Sequence, residues 1–140
     1  MHPVADPREE ARTLYVEGLG LPEALSHADA EVTVWDVGMG AATNAMAAIE
    51  AFETGKGKLT IVSFERDLDP LRIVTDHPHS FPHVKHRAPH LLLEKGHYTS
   101  PCGRLEWKLV QGDFEVTAFA EKSVPDFVFY DPFSSKTDSA

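Results

Sequence analysis

Val32-Thr33-Val34-Trp35-Asp36-Val37-Gly38-Met39-Gly40-Ala41-Ala42-Thr43-Asn44 is the stretch on which the fold turns. An apolar run rises to Asp36. Gly38 and Gly40 follow at alternate positions, and the helix-forming residues Ala45 to Phe52 come next. That order predicts a strand, a tight glycine turn and a helix. A nucleotide-like ligand lies across the carboxyl end of such a strand, against the first turn of the helix.

Working outward, residues 31–37 read as a strand buried on both faces, because the run is nearly continuous in apolar residues. The helix covers 41–54 and ends at Gly55. A second strand follows over 59–65, so strand, helix and strand fit within 35 residues. This is a βαβ unit, which requires a parallel pair and a right-handed crossover. Upstream, Asp6 as N-cap, Pro7 at the first helical position and Glu9 and Glu10 in the first turn predict a helix over 8–17. Residues 21–26 extend it or form a second one, making 1–28 an N-terminal helical segment. Downstream, a helix over 68–76 stops before Pro78, and a short helix near 91–93 is closed by Gly96. Residues 105–110 alternate as a third strand. A helix over 114–122 precedes a fourth strand over 125–131, and 134–140 read as a frayed polar tail. The expected fold class is a single α/β domain over 1–140. It has an open, mostly parallel, Rossmann-like sheet with helices on both faces, of which four strands are present.

A chain of 140 residues can bury about two-thirds of its unfolded surface, enough for one real core. No apolar span approaches the ~18 residues of a membrane helix. The N-terminus lacks the basic-then-apolar order of a signal peptide. Cys102 is the only cysteine, so no internal disulfide forms. These features favour a cytoplasmic protein with no membrane partner. The net charge of −9 argues against a phosphate-reading surface spread over the chain.

The chemistry of the glycine turn follows from what is missing. The dinucleotide fingerprint G-x-G-x-x-G needs a third glycine where Thr43 stands, and no G-K-[ST] follows to make a phosphate loop. Asp36-x-Gly38-x-Gly40 instead resembles the first motif of class I S-adenosylmethionine (SAM) methyltransferases, in which the glycines admit the methionine part of the cofactor. In that class an acidic residue ending the second strand accepts two hydrogen bonds from the ribose diol, and Glu65 stands there. The Asp of Gly112-Asp113 matches the residue that recognises the adenine amino group. Asp131, in Asp131-Pro132-Phe133, ends the fourth strand, where substrate-facing residues lie. Singly, each carboxylate also reads as a solvated strand end, a turn former or a helix cap. Together they fall at the carboxyl ends of four successive strands, which is the ligand crevice of an open parallel sheet.

A closer resemblance rests on Met1-His2-Pro3, Glu9-Glu10-Ala11, Leu14-Tyr15-Val16, Trp35 to Gly40, Val62-Ser63-Phe64-Glu65, Leu68-Asp69-Pro70-Leu71 and Tyr130 to Ser134. These resemble the MnmC-type methyltransferase family over nearly the whole chain. The resemblance implies methyl transfer from SAM to the exocyclic amine of 5-aminomethyluridine at the tRNA wobble position. It implies cofactor contacts from Asp36, Gly38, Met39, Gly40, Glu65 and Asp113. Asp131 would orient the amine or accept its proton, and Phe133 would pack on the base. It also implies tRNA as partner and an FAD-dependent oxidase domain or protein as companion. Members of the class have seven strands, so four strands suggest a cofactor-binding fragment whose open sheet edge would invite self-association or a partner chain. Other readings stay open: a non-catalytic SAM-binding module, or a SAM methyltransferase of a small amine or a protein.

His77, His79, His83, His86, His90 and His97 crowd into 21 residues. Four of them, from His79 to His90, have helical spacing, which suits a shared metal ion. Pro82 and Pro89 interrupt that helix, so a polar connector without metal is the expected reading, and the imidazoles would titrate near neutrality.

Overall fold

A computed structural model describes residues 16–131 of the chain. The expected helix over 8–17, apart from its last two residues, lies outside the described residues, as do Phe133 and the tail over 134–140. Within them run α1 (Leu21–Ala24), β1 (Glu31–Val37), α2 (Thr43–Thr54), β2 (Lys58–Glu65), α3 (Asp69–Asp76), a 3-10 turn (Pro82–Lys85), α4 (Arg87–Lys95), β3 (His97–Thr99), β4 (Leu105–Gln111), α5 (Phe114–Thr117) and β5 (Phe127–Tyr130). The strands form one sheet in the order β3-β4-β2-β1-β5. All pairs are parallel except β3 with β4.

The four expected strands are present, and β3 is a fifth. It escapes a reading by alternation because it is three residues long, with Tyr98 opposite Trp107. The helix expected over 114–122 stops at Thr117. Glu121 turns back instead, and its carboxylate accepts from the Ser123 N–H and O–H. The last strand shortens to Phe127–Tyr130, since Asp126 caps its start by accepting from the Thr33 N–H at 2.8 Å.

Side chains alternate across a strand, so the register decides which residues share a face. Val34 lies opposite Ile61 and Ile61 opposite Trp107. With Leu59, Leu105 and Phe129 they form the sheet side of the main core, against Ile49 and Phe52 of α2, Leu71 and Val74 of α3, and Leu92 of α4. Each such aliphatic or aromatic side chain contributes about 1.5–3 kcal/mol on burial. The opposite face carries a smaller cluster: Val37, Val62 and Phe64, with Trp35, Val110 and Phe114 packed on it. Among the described residues helices therefore touch both faces, but unequally. Among the described residues no helix is long and apolar enough to cross a membrane.

Candidate functional site at the carboxyl edge of the sheet

The βαβ unit places the Gly38 turn beside the end of β2. The Gly38 N–H donates to Phe64 O at 2.9 Å, and its φ of 79° is one that a side chain makes costly. Gly40 also has a positive φ, and its N–H donates to Glu65 Oε1 at 2.7 Å. Glu65 Oε2 accepts from the Arg66 and Asp67 N–H groups at 3.1 and 3.3 Å. The end of β2 thus braces the turn that follows β1. The Gly112 N–H donates to Glu65 O, which brings the end of β4 alongside. Between these ends lies an open cleft of about 220 Å³ lined by Gly38, Phe64, Glu65, Asp113, Phe114 and Tyr130, among others.

Gly38, Glu65 and Asp113 therefore meet around one cavity. Asp113 also caps α5, its Oδ1 accepting from the Glu115 N–H at 3.1 Å. The Asp131 N–H donates to Val37 O at 2.8 Å, which holds that residue at the same edge, one strand over. Asp36 and Met39 lie elsewhere: both are buried beneath the turn, Met39 within the main core. Asp36 Oδ2 accepts from the Ser63 O–H at 2.8 Å, and Ser63 Oγ accepts from Trp107 Nε1 at 2.8 Å. Asp36 Oδ1 is buried with no hydrogen-bond partner. Burial pushes the Asp36 carboxyl up to about 7 against the lowering effect of the Ser63 bond, and the charges of Glu65 and Asp131 add to the rise.

The sequence reading missed Ser63, a single hydroxyl in an apolar strand. It also missed the aromatic wall. Phe64 and Phe114 meet edge-on at 5.0 Å, and Phe114 meets Tyr130 at 6.4 Å. Phe114 directly follows Asp113, and Tyr130 sits where a strand ends at the crevice; position rather than motif was the signal for both.

Three of the histidines are engaged one by one. His83 Nε2 bonds Ala41 O at 2.8 Å, tying the connector to the glycine turn. His86 Nδ1 accepts from the Ala88 N–H and so caps α4, while its Nε2 meets Glu53 at 2.9 Å. His90 Nε2 bonds Val84 O. Among the described residues no three His, Cys, Asp or Glu side chains are grouped to hold a metal ion.

The donor set suits a ribose-bearing cofactor such as SAM. A carboxylate offers about four acceptor positions. Glu65 uses three on backbone N–H groups, the weakest at 3.3 Å, so a diol would take the remaining position and share that weak one. Asp113 keeps Oδ2 for an amino donor.

No family model matches the sequence, and no curated protein does. A solved structure does match: MnmC2 from Aquifex aeolicus, with a TM-score of 0.62 and 24% identity, over 96% of this chain and 43% of that one. The chain shares the fold of part of MnmC2. The match, together with the mostly parallel strand order, makes the sheet Rossmann-like, as the glycine turn implied. This chain thus spans less than half the length of the MnmC2 chain it matches.

Proposed function

We propose that this chain binds SAM in the cleft at the carboxyl edge and contributes to methylating the 5-aminomethyl amine of wobble uridine in cytoplasmic tRNA. The observation that carries the reading is the meeting of the Gly38 turn, Glu65 and Gly112-Asp113 around one cavity, in a fold shared with MnmC2. Bound SAM would supply an electrophilic methyl group on a sulfonium. The glycine turn gives backbone access, Glu65 accepts from ribose hydroxyls, and Asp113 accepts from the adenine amine. Asp131 accepts the proton that the amine must lose, and Phe133 stacks on the base. An amine attacking in line needs mainly positioning and the neutral form, which such a frame can supply.

Calorimetry with SAM is the first test. The unaltered chain binds, and Gly38→Val abolishes binding; an unaltered chain that takes up no SAM overturns the reading. The second test is label transfer from SAM to tRNA that lacks only the final methyl, with transfer lost in Asp131→Ala. The net charge of −9 favours a second reading, a small amine or protein acceptor in place of tRNA. Label transfer to such an acceptor but not to tRNA would establish it.

A further inference from the structure

Trp35 lies on the face of the sheet away from the main core. Its ring meets Phe64 edge-on at 5.1 Å and Phe114 at 6.2 Å, so it backs the aromatic wall of the cleft. Residues 118–126 cross this face without helix or strand and join α5 to β5. The elements they join carry Phe114 and Tyr130, the two outer aromatics of the wall. Apolar burial does not hold this strap down, because Phe119 is 92% exposed and Val124 81%.

Polar bonds hold it instead. Trp35 Nε1 donates to Ser123 Oγ at 3.0 Å. The Ser123 O–H and N–H both donate to Glu121 Oε2, at 2.7 and 3.2 Å. Lys108 Nζ donates to Glu121 Oε1 at 2.6 Å. The Glu121 side chain is only 7% exposed. Burial raises its carboxyl, yet the bonds from Lys108 and Ser123 together hold it below the usual carboxylate range. Trp35 belongs to β1 and Lys108 to β4, which flank β2. The chain of bonds thus spans three strands and fastens the strap at its middle.

We infer that Trp35, Ser123, Glu121 and Lys108 form a latch that positions Phe114 and Tyr130 as the wall of the cleft against the planar ring of its ligand. The identity of that ligand rests on the SAM reading above. These four are positioning residues, acting through the aromatics they hold in place.

The test uses the full chain, with SAM and adenosine as titrants and acrylamide quenching of tryptophan fluorescence as an independent readout. Trp107 is buried, so a change in quenching reports Trp35. Ser123→Ala removes two of these hydrogen bonds and Trp35→Phe one, and each weakens both titrants by at least roughly five-fold, the usual worth of one such bond. Ser123→Thr keeps the hydroxyl and restores affinity, which a general loss of packing would not allow. Affinity unchanged in Ser123→Ala and Trp35→Phe, or loss that Ser123→Thr fails to restore, overturns the latch. An unaltered chain that binds neither titrant defeats the SAM reading instead. The latch is then judged on quenching alone: a rise at Trp35 in Ser123→Ala supports it, and no change overturns it.

Discussion

On the face that packs against α2, α3 and α4, Val34, Leu59, Ile61, Trp107 and Phe129 are at most 1% exposed. On the other face Val128 is 44% exposed and Tyr130 60%, and among the described residues the covering helix is the four-residue α5. One side has long amphipathic helices and interlocked apolar side chains. The other has a short aromatic cluster tied down by hydrogen bonds. The contrast separates two surfaces: the helical side buries the larger apolar cluster, while the thinly covered side lines the open cleft.

The largest effect that sharpens this contrast belongs to Trp107→Ala. It removes a large buried ring and leaves Ser63 without its donor, so urea unfolding should show a loss of about 3–5 kcal/mol. A smaller loss would mean that the helical side is less dominant than its burial implies. Next comes Asp36, whose pKa is raised from 3.8 to about 7 in the folded chain. Between those values the folded state holds the proton more tightly than the unfolded one. Stability is therefore fully present below about pH 4 and falls as pH rises through about 7, by a few kcal/mol. Asp36→Asn should flatten that slope in unfolding curves taken across the same range. A third substitution, Glu65→Ala, should weaken SAM binding by at least roughly tenfold in calorimetry, a group hydrogen-bonded to charge being worth about 1.5–3 kcal/mol. Unchanged affinity would move the site away from this edge. The smallest effect is expected for Phe119→Ser on the thin face: within about 0.5 kcal/mol in the same unfolding assay, as for other exposed positions. A large loss there would show that the strap is held by something other than its polar bonds.

Much of this was legible in the sequence because it is local. The run from Val32 to Gly40 and the strand ending at Glu65 announce themselves by apolar pattern and glycine spacing, and the βαβ geometry then follows. Gly38, Glu65 and Asp113 could be assigned to one edge because parallel strands bring their carboxyl ends together. What could not be read depends on contacts made across the sheet. Asp36 reads like a ligand residue in the motif, yet Ser63 and Trp107 draw its side chain under the turn. The end of α5 at Thr117 is set by Glu121 reaching Lys108 and Ser123, a preference that no helical propensity records. His86 looks like one member of a metal-binding row, but Ala88 and Glu53 occupy both its nitrogens.

The position of β1 between β2 and β5 has a consequence in time. Its pairing with β2 closes a short loop, whereas its pairing with β5 joins residues as far apart as Thr33 and Asp126, 93 positions along the chain. Long loops close late, because ordering the intervening chain costs entropy before any contact repays it. On the ribosome, β1, α2 and β2 can dock while β5 is still unmade. The cleft gains Tyr130, and the main core Phe129, only when β5 arrives, so folding of the described residues can be followed at two separate moments: the docking of the first βαβ unit and the arrival of β5.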